Sequence, residues 1–87
     1  MQETAGIWQA VLGELELTLS RGNFVTWFKN TQLLDFTTDK AIIGVPNIFI
    51  KQQLERRYND LIKDVLGKNG VSPEEIRYEI YSAPSMK

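Results

Sequence analysis

The stretch Val45-Pro46-Asn47-Ile48-Phe49-Ile50 constrains this chain more than any other, because it closes one kind of structure and opens another. Pro46 disfavours helix in the residue before it. Asn47 offers a side-chain oxygen to an orphan backbone N–H, as an N-cap does. Beyond it, Ile50, Leu54, Tyr58, Leu61, Ile62 and Val65 recur at steps of three and four, one apolar stripe on a helix reaching about Leu66. Phe49 is off that stripe, about 140° from Leu54 at ~3.6 residues per turn. Its wheel neighbours are Gln52, Arg56, Asn59 and Lys63, a solvent face. Either the first turn is irregular and Phe49 folds back into the core, or Phe49 is offered to a partner.

The segments before this helix predict two further helices and a hairpin. Residues 3–20 read as a first helix, with Trp8, Leu12, Leu15 and Leu19 on one stripe and Ile7 and Val11 widening it to one side. Ser20-Arg21-Gly22-Asn23 breaks the pattern, with Gly22 as punctuation. Asn23 then reads as the cap of a short second helix ending near Asn30. There Phe24 and Phe28 share a face, while Asn23, Thr26 and Trp27 fall toward the other side. Residues 31–36 and 41–45 are β-rich runs joined by Thr37-Thr38-Asp39-Lys40, which predicts a hairpin.

After the long helix, Gly67 is placed for a left-handed C-cap. Ile76-Arg77-Tyr78-Glu79-Ile80-Tyr81 alternates and predicts a third strand. The chain is therefore expected to be α+β, in the order helix, helix, hairpin, long helix, strand, with helices packed on a three-stranded sheet. Residues 1–81 make one domain, and residues 82–87 read as the start of a flexible linker.

Composition removes most chemistry. With 87 residues, 43% of them hydrophobic, the chain can bury one modest core. It has no cysteine and no histidine, so thiolate chemistry and the commonest general base and metal ligand are missing. Net charge is −1, which argues against purely electrostatic capture of nucleic acid or membrane. No apolar run approaches the ~20 residues of a bilayer span, and the first residues are no signal peptide, so a cytoplasmic protein is expected. Gly67-Lys68 lacks the glycine and hydroxyl of a phosphate loop and sits at a helix end, where the dipole repels anions. Glu74-Glu75 and Asp60 with Asp64 lack a third ligand at workable spacing and read as solvated surface. No catalytic, cofactor or metal residues are assigned, and the chain is not expected to be an enzyme.

Charge is weakly polarised. Residues 51–68 carry Lys51, Arg56, Arg57, Lys63 and Lys68 against Glu55, Asp60 and Asp64, while residues 1–20 carry only Glu3, Glu14 and Glu16. The helix could contact single-stranded nucleic acid, with Tyr58 or Phe49 stacking on bases. It could equally be a solvated face laced by Lys51–Glu55 and Arg56–Asp60 pairs.

Ile7-Trp8, Asn23-Phe24-Val25-Thr26-Trp27-Phe28 and Val45-Pro46-Asn47-x-Phe49 with its helix reaching Arg57-Tyr58, in this order and spacing, resemble the N-terminal domain of the bacterial chromosomal replication initiator DnaA. The resemblance covers about residues 5–81. It implies a KH-like fold used for protein–protein contacts: weak self-association, and recruitment of the replicative helicase and of initiation regulators. It implies that ATP, Mg and duplex DNA are bound by domains beyond a linker, absent here. It places partner contacts at Asn23, Thr26, Trp27, Asn47 and Phe49. Either Trp8 simply closes the edge of the core, or, as the resemblance supports, Ile7, Trp8 and Val11 form a small self-complementary patch, giving homodimers in roughly the micromolar to millimolar range. Two departures are visible. Some members carry an acidic residue where this chain has Asn23, and the Gly-x-x-Gly clamp of true KH domains is missing. A KH-like module binding single strands weakly is the alternative function.

Overall fold

The computed structural model describes residues 4–81; the linker expected at 82–87 lies outside them. Helix α1 (Thr4–Thr18) is followed by α2 (Arg21–Phe28), strands β1 (Gln32–Phe36) and β2 (Lys40–Val45), a continuous helix made of α3 (Ile48–Gln53), a π-helical turn (Leu54–Tyr58) and α4 (Asn59–Lys68), and strand β3 (Glu75–Ile80). The α+β order expected from the sequence is the observed one.

The sheet has the order β1-β2-β3. β1 and β2 form the antiparallel hairpin, and β3 pairs parallel to β2 from Lys40↔Glu75 to Val45↔Ile80. Parallel pairing needs a crossover, here supplied by the long helix. The hairpin turn is built by Thr37, whose Oγ1 accepts from the Asp39 and Lys40 amides at 3.1 and 3.2 Å. A register shift between Leu33 and Asp35 puts an extra residue, Leu34, into β1 as a bulge. Leu33, Ala41, Ile43, Val45 and Tyr78 point to the buried side, whereas Gln32, Asp35, Arg77 and Glu79 on the other side are exposed. On that open side Leu34 and Tyr81 close over Gly44. A Cβ there would lie 3.1 Å from both side chains, so glycine permits their approach.

The core joins the sheet to all the helices. Val11 and Leu15 of α1, Phe28 of α2, and Leu54, Ile62 and Leu66 of the long helix are fully buried. Ring contacts tie α2 to the π turn: Phe28 meets Tyr58 edge-on, centroids 5.4 Å apart. Tyr78 of β3 donates its hydroxyl to Asn59 Oδ1 at 2.9 Å. Burial, reinforced by the Glu55 charge, raises the Tyr78 phenol well above its ordinary value, so it stays protonated as a donor.

Four local expectations are corrected. Ser20, not Asn23, caps α2: its side chain accepts from the Asn23 amide at 3.3 Å, and Gly22 lies inside the helix rather than breaking it. The helix after Asn47 passes Gly67 and ends at Lys68. The left-handed residue is Gly70, φ 87°, with Val71 N–H bonded to Leu66 O and Gly70 N–H to Gly67 O, the paired bonds of a Schellman motif. The Lys51–Glu55 and Arg56–Asp60 pairs do not form; among the described residues the ion pairs are Lys68 with Glu14 and Asp64, and Arg77 with Glu75. Most consequentially, Trp8 and Val11 are core residues, 3% and 0% exposed, and Ile7 is half-buried. The Trp8 indole N–H donates to Thr31 Oγ1 at 3.2 Å, and Thr31 in turn donates to Phe28 O at 2.7 Å. Trp8 thus closes the core edge, as its place on the apolar stripe allowed. The Ile7, Trp8 and Val11 patch is not presented to a second copy in this fold.

Two sets of variants test these points. Gly67→Ala should raise stability by up to ~1 kcal/mol, removing an interior helix glycine. Gly70→Ala should lower it by ~1–2 kcal/mol, since its positive φ penalises a Cβ. Denaturant titration should show the opposite signs. Trp8→Ala should cost about 3–5 kcal/mol in the same measurement, as core aromatics do, rather than altering association alone.

Candidate functional site

Asn47 makes the turn that presents the site. Its backbone is extended, and its Oδ1 accepts the Ile50 amide at 2.9 Å. The chain therefore enters α3 at a defined angle, leaving the Asn47 Nδ2 for other partners. The next two residues point outward. Phe49 is 74% exposed and Ile48 43%. The first turn is regular, and Phe49 does not fold back: the solvent-facing alternative is the observed one.

The π turn sets the phase between the two halves of the helix. One extra residue in a turn makes everything upstream lag by about 100° relative to a continuous α-helix. With that lag, the buried Leu54, Ile62, Val65 and Leu66 span about 100° of the wheel instead of about 120°. The burial agrees, since Leu54, Ile62 and Val65 are buried and Ile50 and Tyr58 pack against them. Phe49 lies about 60° outside that stripe and is exposed.

The second segment is the outer side of α2. Asn23 and Thr26 are exposed, and Val25 is 42% exposed. Trp27 is half-buried, one edge packed on the core. α2 meets the long helix where Phe28 touches Tyr58, nine residues or roughly 13 Å along the axis from Phe49. Among the described residues no hydrogen bond or ring contact joins Asn23, Thr26 or Trp27 to Asn47 or Phe49. Tyr58, considered above for base stacking, is half-buried and occupied by Phe28.

Sequence reasoning missed Ile80, which is 57% exposed. Its pairing with Val45, continued by the Tyr81 amide on Val45 O at 2.7 Å, brings the end of β3 to the strand end from which α3 departs. The apolar surface at this end of the sheet is therefore Ile48, Phe49 and Ile80. Alternation alone marked Ile80 as inward-facing, and nothing in the sequence says which strand lies beside it. Exposed aromatic and aliphatic area rimmed by amides is suited to protein recognition. Among the described residues no cluster of Asp and Glu could hold a metal ion, and no helix is long and apolar enough to cross a membrane.

The exposure of Phe49 is directly testable. Phe49→Ala should change unfolding stability by no more than about 0.5 kcal/mol, as surface substitutions do. Phe28→Ala should cost about 3–5 kcal/mol. Equal losses in the two variants by thermal or chemical denaturation would place Phe49 in the core.

Comparison with known proteins bears on the family and the fold. The chain resembles chromosomal replication initiator protein DnaA of Borrelia garinii subsp. bavariensis, 39% identical over 70 residues, covering 80% of this chain and 14% of the relative. DnaA of Roseiflexus castenholzii is 35% identical over 79 residues, covering 91% and 16%; that of Borrelia duttonii is 33% identical over 87 residues, covering 100% and 18%. The chain thus spans under a fifth of the length of these relatives. Its fold matches a chain in the crystal structure of a HobA–DnaA (domain I–II) complex from Helicobacter pylori, with TM-score 0.74, 19% identity, and 88% and 99% of the two chains covered. The family model of the DnaA N-terminal domain matches residues 5–68, and the chain belongs to that family of replication-initiation domains.

Proposed function

We propose that this chain is the protein-interaction module of a chromosomal replication initiator. It recruits the replicative helicase and initiation regulators at the origin and associates weakly with itself. The observation that carries this reading is Phe49, a large aromatic held out at 74% exposure by an Asn47-capped helix start. The Helicobacter pylori structure of similar fold is a complex of DnaA domains with HobA, which supports a regulator as one class of partner. On this reading the chain is cytoplasmic, performs no catalysis and binds no cofactor. ATP, Mg and duplex DNA are left to other domains of the initiator. Self-association, if it uses α1, needs a surface other than Trp8 and Val11.

Weak binding of single-stranded nucleic acid is the second reading, favoured by the unpaired cations of the long helix. Ionic strength separates the two. Partner capture in a pull-down should survive moderate salt and fall in Phe49→Ala by the equivalent of roughly 2 kcal/mol or more, as at interface hot spots. Nucleic-acid binding should instead fall steeply with salt. Submicromolar affinity of this chain for DNA at physiological salt, with partner capture indifferent to Phe49→Ala, would reverse the assignment.

A further inference from the structure

The two edges of the sheet differ. β1 is interrupted by the Leu34 bulge, which spoils an edge for further pairing, and α1 packs against that strand. β3 has no such protection. Its register against β2 runs unbroken from Lys40↔Glu75 to Val45↔Ile80. In a parallel ladder, alternate residues bond to the same neighbour. The Glu75 amide donates to Asp39 O at 3.1 Å and the Tyr81 amide to Val45 O at 2.7 Å, so Glu75, Arg77, Glu79 and Tyr81 face β2. Ile76, Tyr78 and Ile80 therefore direct their backbone N–H and C=O groups away from the sheet. Among the described residues none of these groups has a hydrogen-bond partner.

Side chains set the register in which a second strand fits this edge. Glu75, Arg77 and Glu79 are exposed on the sheet face away from the helices. Antiparallel pairing of β3 with its own copy about Tyr78 sets Tyr78 against itself, Ile76 against Ile80, and Arg77 against Glu79. The first two pairings join residues with free backbone groups, and each exchanges both N–H···O bonds. Arg77 and the partner's Glu79 become the intervening close pair, Cα atoms about 4.5 Å apart, where opposite charges stabilise a sheet. Arg77 uses its Nε on Glu75 at 2.7 Å, which leaves its outer guanidinium nitrogens for the partner's Glu79. The half-buried Ile76 also covers the partner's Ile80, which is 57% exposed in the single chain.

Other registers do worse. Centring on Arg77 sets that residue against itself and Glu75 against Glu79. Centring on Glu79 sets Glu79 against itself. Like charges directly opposite destabilise a sheet. Centring on Ile76 or Ile80 leaves Tyr78 opposite a residue outside β3, so most of the free backbone groups stay unpaired.

We infer that β3 pairs with β3 of a second copy of this chain, antiparallel about Tyr78, joining two three-stranded sheets into one. The two-fold axis stands normal to the sheet, so both helix layers lie on one side and the contact closes as a dimer. The inference rests on the weak self-association proposed above and gives it a surface apart from α1 and from Phe49. A strand edge with a few side chains is a small interface, which suits a weak dimer.

The test combines sedimentation with NMR amide hydrogen exchange over rising concentration. It uses the parent chain, Arg77→Glu, Glu79→Arg, and the two variants mixed. Both side chains are exposed and an exposed ion pair contributes little to stability, so the variants should fold, which dispersed spectra confirm. The parent should form dimers dissociating in roughly the micromolar to millimolar range. Rising concentration should slow exchange at Ile76, Tyr78 and Ile80 but not at Arg77 and Glu79, whose amides already face β2. Each variant alone opposes like charges and should dimerise at least about tenfold more weakly. Mixed, the two present opposite charges to each other and should regain the parent's association. Dimers with unchanged exchange at Ile76, Tyr78 and Ile80, undiminished in the single variants, or not regained in the mixture, would overturn the inference and leave self-association to another surface. Assemblies larger than dimers would overturn it too, because the two-fold leaves no β3 edge free. Monomers alone at millimolar concentration would remove both the inference and the proposed self-association.

Discussion

The structure depends on burying one face of the long helix between the sheet and the first two helices. Leu54, Ile62, Val65 and Leu66 lose nearly all contact with water there, each worth about 1.5–3 kcal/mol for a fully buried aliphatic side chain. Because this helix is also the crossover between β2 and β3, its burial and the parallel pairing of the strands require each other. Without the crossover β3 has no route to lie beside β2, and without β3 half of the helix has no sheet to cover. α1 and α2 then close the other side through Val11, Leu15 and Phe28.

Polar groups enter that core only where they are satisfied. The Trp8–Thr31–Phe28 relay ties α1 to the end of α2 and the start of β1. The Tyr78–Asn59 bond ties β3 to the first residue after the π turn. Among the described residues no buried side-chain nitrogen or oxygen lacks a partner. A buried donor left alone costs about 1–3 kcal/mol, so these two links set the position of each element more sharply than apolar contact does. They also account for the fate of Trp8. An indole N–H at the edge of a helix stripe could face solvent or a second copy. A threonine supplied by a different element draws it inside.

The same architecture leaves one end of the sheet apolar and open. Core packing uses the long helix from Ile50 onward, so the two residues before it, Ile48 and Phe49, overhang the sheet. The π turn adjusts the phase of the helix so that its two halves bury a common stripe. A binding surface on a rigid helix start loses little entropy when a partner docks.

The amino-acid sequence by itself determined the element order, the Asn47 cap and the hairpin, and it set Phe49 off the apolar stripe. Each follows from interactions within a few residues: a proline's steric demand, a side chain reaching a nearby amide, and the period of apolar residues. The same local logic misplaced two helix ends. Ser20 and Asn23 are both acceptable caps, and Gly67 and Gly70 are both acceptable terminators, so only the observed hydrogen bonds choose between them. Tertiary structure alone decided which of the two readings of Trp8 holds, the π turn, and the pairing of β3 with β2 that brings Ile80 beside the start of α3. These depend on which surfaces meet across the fold, and a helical wheel records the direction of a side chain but not what stands in that direction.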